Sequence, residues 1–238
     1  MFDPGSYHVA EALNDGRKVE IRAQRPGDRE ALLAAVERAS KETLYHRFLV
    51  TKRKFSEQEE HFFLDIDYVN HVALVAETIE DGRAVIIGGC RYVVVEPGRA
   101  EVAFSVIDAY QKKGLGTALM RRLAAIGREA GLTQFVADVL ADNAPMMKVF
   151  KRSGLAMTTK LEGPVFSVSL NLHPPGEAAF AGPVASTAND IDPCQRSPTT
   201  TEQQFSSVPA SAGSRSGHGE WPLLALFVRR RADRCVRL

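Results

Sequence analysis

The stretch Glu101-Val-Ala-Phe-Ser-Val-Ile-Asp-Ala-Tyr-Gln-Lys-Lys-Gly-Leu-Gly-Thr-Ala-Leu-Met120 decides how this chain is read. Strand-forming residues from Glu101 to Ile107 run through a short glycine-containing turn into a helix marked by Leu115, Leu119, Leu123 and Ile126 at helical spacing. The first amides of a helix have no internal partner and sit at the positive end of its dipole. A strand-turn-helix joint therefore gathers several N–H donors around a phosphate. A side chain at Gly114 or Gly116 would obstruct close approach of such a ligand to the backbone, and Lys112 and Lys113 add long-range attraction.

A Gly-x-Gly turn before a helix is a weak signal alone, so its surroundings decide what it means. A Walker loop needs Gly-Lys and a hydroxyl residue after a four-residue gap, which is absent. A dinucleotide-binding fingerprint belongs to a parallel βαβ unit near the start of a domain. Here Val72–Thr78, Ala84–Val95 and Glu101–Ile107 are separated by the turn sequences Glu80-Asp81-Gly82 and Pro97-Gly98, which predicts three antiparallel strands before the joint.

Working outward, Val19–Ala23 alternates as a strand up to Pro26-Gly27. Asp28 is then placed to cap a helix carrying Leu32, Leu33 and Val36. Ser56 and Glu59 have capping-box spacing ahead of Phe62, Phe63 and Ile66. Past the joint, the pattern predicts a strand over Gln134–Val139, a helix over Ala144–Arg152 and a closing pair of strands over Leu155–Lys160 and Val165–Leu172.

The 238 residues, 45% hydrophobic and 25% charged, are enough for one domain with a full core. A formal charge of +1 argues against holding nucleic acid by charge alone. Cys90, Cys194 and Cys235 are scattered and lack C-x-x-C spacing, and the histidines show no metal-ligand spacing, so no disulfide framework and no metal are expected. No apolar run is long enough to span a bilayer, and a soluble, cytoplasmic protein is expected. The domain is placed at residues 18–172. Residues 173–238 are expected to be a disordered tail rich in Pro, Gly, Ser and Thr, ending in the apolar run Trp221–Val228 and five arginines. That end reads either as an uninformative tail or as an interfacial anchor.

Gln111-x-x-Gly114-x-Gly116 resembles the Arg/Gln-x-x-Gly-x-Gly/Ala motif by which GNAT N-acetyltransferases hold the pyrophosphate of acetyl-CoA. Ile21-Arg22 to Pro26-Gly27-Asp28 is similar to the usual entry into that fold, and Asp142-Asn143 with Ser153-Gly154-Leu155 is similar to its later motif. The resemblance implies an α/β fold with a mixed, mostly antiparallel central sheet flanked by helices, and transfer of acetyl from acetyl-CoA to an amine. Ala39–Phe48 and Glu101–Val106 further resemble bacterial protein lysine acetyltransferases, which points to a protein lysine as acceptor. A small amine or an N-terminus is the alternative acceptor, and a non-catalytic acyl-CoA sensor is the alternative of another class. Oligomeric state is not legible.

The same resemblance implies that the amides of Gln111, Lys112, Lys113, Gly114, Leu115, Gly116 and Thr117 hold the pyrophosphate, while the strand edge at Val106 and Ile107 pairs with pantetheine. It matches Glu101 to a glutamate that acts as general base, against the simpler reading of an exposed strand residue. Asn143 either bonds the pantetheine arm or caps the following helix. Where many relatives carry a tyrosine to protonate the leaving thiolate, this chain has Phe150, which has no proton to give. Solvent, Ser105 or Tyr110 is left for that step. Cys90, within an apolar strand, reads as a buried structural thiol rather than a nucleophile.

Overall fold

The computed structural model describes residues 2–49 and 55–173. The tail expected over residues 173–238 lies, apart from His173, outside the described residues. The strands are β1 (His8–Ala12), β2 (Lys18–Ala23), β3 (His71–Glu80), β4 (Arg83–Glu96), β5 (Arg99–Val106), β6 (Gln134–Leu140), β7 (Ala156–Glu162) and β8 (Val165–Asn171). They form one sheet in the order β1-β2-β3-β4-β5-β6-β8-β7. Every neighbouring pair is antiparallel except β5 with β6. The Glu80–Arg83 hairpin closes on Asp81 and Gly82, both at positive φ (49° and 74°), the turn geometry that follows the right-handed twist of paired strands.

Helices α1 (Arg29–Arg38), α2 (Lys41–Phe48) and α3 (Glu57–Leu64) precede β3, α4 (Leu115–Glu129) joins β5 to β6, and α5 (Ala144–Arg152) joins β6 to β7. α4 buries Leu115, Leu119, Leu123 and Ile126 completely or nearly so, as its apolar spacing predicts, and these pack with Val102, Phe135 and Phe150 in the main core. Strand alternation puts Val102 and Phe104 on the α4 and α5 face, where Phe104 meets the Phe150 ring edge-on at 6.1 Å. Ala103 and Ser105 point the other way, toward residues of α1, α2 and α3.

Local signals set the structure where the partner is close in sequence. Ser56 Oγ accepts from the Glu59 N–H at 3.3 Å, and Glu59 Oε2 accepts from the Ser56 N–H at 2.8 Å, completing the expected capping box of α3. The Asp28 cap does not form. Its carboxylate, buried with Arg22, accepts from that guanidinium at 2.8 and 2.9 Å and from the Arg25 N–H at 2.7 Å, and Arg22 also reaches Glu77 at 2.7 Å. A buried arginine carries a large desolvation cost, and the two carboxylates offset it where a helix cap would not. Two elements carry no clear local signal. One is β1, an edge strand whose half-exposed residues alternate weakly. The other is α2, capped by the Ser40 hydroxyl accepting from the Thr43 N–H at 3.1 Å.

Candidate active site

β5 and β6 pair only at Arg99↔Gln134, Ala100↔Phe135 and Glu101↔Val136, although both strands continue beyond Glu101. Past that point a cleft of about 1000 Å³ opens, lined by Glu101–Val106 on one side and Ala137–Val139 on the other. Glu101 therefore stands where the strands separate. α2 and the turn before α5 meet at this cleft, with His46 Nε2 3.3 Å from Asp142 Oδ1.

The parity of the β4–β5 ladder determines which backbone groups face the opening. The Ile107 N–H donates to the Ile87 carbonyl at 3.0 Å, so odd-numbered β5 amides point toward β4 and even-numbered ones toward the cleft. Val106 thus presents its backbone to the cleft. The expectation that Ile107 shares this role is corrected, since its amide is already bonded and its side chain is buried. The Val106 carbonyl accepts from Gln111 Nε2 at 3.0 Å.

In the turn before α4, the Gln111 N–H is bonded to the Asp108 carbonyl at 3.2 Å. Its side chain donates to Thr43 Oγ1 at 2.9 Å as well as to Val106. The expected cradle therefore begins at Lys112, one residue later than the motif suggested. Among the described residues, the amides of Lys112, Lys113, Gly114, Leu115, Gly116 and Thr117 have no hydrogen-bond partner, and the first helical bond is from the Ala118 N–H to the Gly114 carbonyl. Lys112 (φ 59°) and Gly114 (φ 91°) both adopt left-handed backbone. Lys113 is held away from the cleft, its ammonium 3.2 Å from Asp15 and its carbonyl accepting from the Asn14 N–H at 3.0 Å.

The two glycines also meet constraints internal to the protein. A Cβ on Gly114 would lie 2.9 Å from Asn14 Oδ1 in a conformation that favours glycine, and one on Gly116 would lie 3.1 Å from Val149 Cγ2 of α5. Asn143 caps α5, its Oδ1 accepting from the Met146 N–H at 3.1 Å. Phe150 is fully buried against Phe104. The Tyr110 hydroxyl donates to Glu80 at 2.8 Å, and burial with that carboxylate raises its pKa. Cys90 is buried with its Sγ 3.8 Å from the Leu119 carbonyl, and burial pushes the thiol well above its ordinary range. Among the described residues no group of three or more His, Cys, Asp or Glu is placed to hold a metal ion, and no helix is long and apolar enough to cross a membrane.

A smaller cavity of about 130 Å³ lies between α1–α3 and the sheet and shares Arg47, Phe48, Ala103 and Ser105 with the cleft. Arg47 and Arg91 both line it, a feature with no local signal in the sequence. Burial pushes the Arg47 guanidinium down to about 10 against the opposing pull of the Glu101 carboxylate. Burial, then the Arg47 charge, pushes Arg91 down to about 9. Both remain charged at neutral pH.

The mixed sheet parts beside a glycine turn and a helix start, and the sequence specifies the family to which this arrangement belongs. The family model "Acetyltransferase (GNAT) family" matches residues 31–155, over half of the 238 residues, and the chain belongs to that family of acetyltransferases. It is 37% identical over 140 residues to an acetyltransferase of Pseudomonas aeruginosa, covering 58% of this chain and 75% of that one. It is 35% identical over 144 residues to acetyltransferase Pat of Mycolicibacterium smegmatis, covering 60% of this chain but only 42% of that longer protein. The crystal structure of the GNAT domain of S. lividans PAT superposes with a TM-score of 0.63 at 33% identity, covering 69% of this chain and 96% of that one.

Proposed function

We propose that this acetyltransferase uses acetyl-CoA to acetylate lysine side chains of proteins by direct transfer, with Glu101 as general base. The observation that carries this reading is the position of Glu101 at the parting of β5 and β6, at the head of a cleft that also holds the open Val106 edge and the unpaired amides of the α4 turn. These features fit an acyl-CoA: a row of donors for a pyrophosphate, a strand edge for an extended amide-bearing arm, and enough volume for both. The coenzyme supplies an acetyl group activated as a thioester. The likeness to Pat and PAT, together with the segments around Ala39–Phe48 and Glu101, supports a protein lysine as acceptor.

In this mechanism Glu101 takes a proton from the acceptor ammonium, directly or through water. The freed amine nitrogen bonds to the thioester carbon, and the Val106 N–H donates to the oxygen on which charge develops. The C–S bond then breaks, the new amide releases its second proton to solvent, the thiolate takes a proton from solvent directly or through a Ser105 hydroxyl that solvent reprotonates, and Glu101 returns its proton to solvent. Tyr110 is a poorer donor because its hydroxyl is engaged by Glu80. A buried, unionised Cys90 favours direct transfer over an acetyl-cysteine intermediate.

Incubation with labelled acetyl-CoA and a panel of protein and small-amine acceptors tests the reading. Glu101→Gln is expected to lower transfer by about 10²–10⁴-fold while calorimetry shows acetyl-CoA binding retained. Undiminished transfer would remove Glu101 from its role, and label appearing only in small amines would remove the protein acceptor.

A further inference from the structure

The inner cavity between α1–α3 and the sheet carries an imbalance of charge. Of its charged lining among the described residues, Arg29 and Glu60 pair with each other at 2.5 Å. Arg47 and Arg91 remain, and neither has a carboxylate within ion-pair distance among the described residues. Arg47 lies over the Phe48 ring at 5.0 Å. Arg91 lies 4.7 Å over the Phe63 ring and, among the described residues, hydrogen-bonds only to neutral groups, Gln24 Oε1 at 3.3 Å, His71 Nε2 at 3.2 Å and the Phe63 carbonyl at 3.5 Å. Three long contacts leave much of a five-donor guanidinium unused.

Two guanidiniums beside an apolar cavity, one drawn on by the Glu101 carboxylate from beyond ion-pair distance and the other by no carboxylate among the described residues, are costly to fold, since a charge removed from water needs a close counter-charge to offset its desolvation. A planar carboxylate is the matching partner for an arginine fork. The cavity shares Ala103 and Ser105 with the cleft, on the face of β5 that also carries Glu101, so its contents lie next to the reacting centre.

We propose that this cavity is a carboxylate subsite, in which Arg47 and Arg91 bind a carboxylate carried into the active centre by a substrate, on either the acyl group or the amine acceptor. The proposal rests on the acyl-transfer reading above and extends it: on the acceptor side it selects an amine with a nearby carboxylate, and on the acyl side it widens the donor from acetyl-CoA to a dicarboxylic acyl-CoA. Arg91 lines the inner cavity and not the cleft, so it reports on the subsite separately from coenzyme binding.

Calorimetric titration of the full chain with succinate and with the neutral succinamide tests it. Succinate is expected to bind at least about tenfold more tightly, and Arg91→Gln is expected to abolish the difference while leaving acetyl-CoA affinity unchanged. Two further pairs locate the carboxylate: succinyl-CoA against butyryl-CoA as donor, and β-alanine against propylamine as acceptor with acetyl-CoA. A preference for the charged member that is lost in Arg91→Gln assigns it to the acyl group or the acceptor, respectively. Equal binding of succinate and succinamide overturns the subsite, as does a charged-member preference that survives Arg91→Gln. Succinate binding with no preference in either pair overturns its role toward a substrate. If Arg91→Gln does not fold, Arg47→Gln and the wild-type comparison decide. Failure of acetyl-CoA itself to bind would count against the proposed function and not against the subsite.

Discussion

Asp108, in the turn after β5, holds Ser40 at the start of α2 twice, accepting from its backbone N–H at 2.8 Å and from its hydroxyl at 2.7 Å. Thr43 adds a third bond to the same carboxylate at 3.1 Å, and Thr43 in turn receives Gln111. The α2 helix and the turn leading into α4 are therefore fastened together. Burial raises the Asp108 carboxyl, but these bonds outweigh it and hold the pKa below its ordinary value. Because the group is exposed, Asp108→Ala is expected to cost only about 1 kcal/mol in urea denaturation. A larger effect is expected on acetyl-CoA, whose dissociation constant should rise as the turn loosens; an unchanged constant would separate the fastening from the binding turn.

Gly114 and Gly116 should respond differently to alanine. Gly114→Ala combines left-handed strain with a 2.9 Å approach to Asn14 and is expected to cost about 1–2 kcal/mol. In the double variant with Asn14→Gly only the contact part should be recovered. Gly116→Ala meets a single methyl of Val149, so Val149→Ala should restore most of its loss. Denaturation midpoints of the single and double variants check both.

His71 is buried, and burial followed by the Arg91 charge pushes its pKa down to about 4. Its folded pKa lies below the unfolded value, so below about pH 6.5 the unfolded chain binds the proton more readily and stability falls with falling pH until about 4. The contribution is on the order of 3 kcal/mol. His71→Gln should flatten the stability profile across that window, and an unaltered slope would assign the acid sensitivity to other groups.

Cys90 is expected to resist thiol reagents in the folded protein and to react once denaturant is added, as followed by mass spectrometry of its peptide. Cys90→Ala should retain acetyl transfer, at a stability cost of about 1–2 kcal/mol for the lost packing. Loss of transfer in a folded Cys90→Ala variant would instead indicate a covalent intermediate.

What the sequence disclosed and what it withheld follow the distance between partners. Ser56 and Glu59 sit three residues apart, and the Asp81-Gly82 turn is set by its own backbone, so both were legible. Asp28 has the same local appearance as a helix cap, yet Arg22 on the neighbouring strand claims it. Val106 and Ile107 cannot be told apart until the register with β4 fixes which amide is already bonded. Gln111 was recognised by its motif, but its contacts with Thr43 and Val106 depend on how α2 docks. Arg47 and Arg91 are 44 positions apart and ordinary by type, and only the folded chain brings them to one cavity.

The three-rung seam between β5 and β6 has a mechanical consequence. Five strands on one side and three on the other are stitched along a line that stops short of full length, so the sheet is most easily prised open there. A molecule bound along that gap would act as mortar as well as cargo, bracing one part of the sheet against the other.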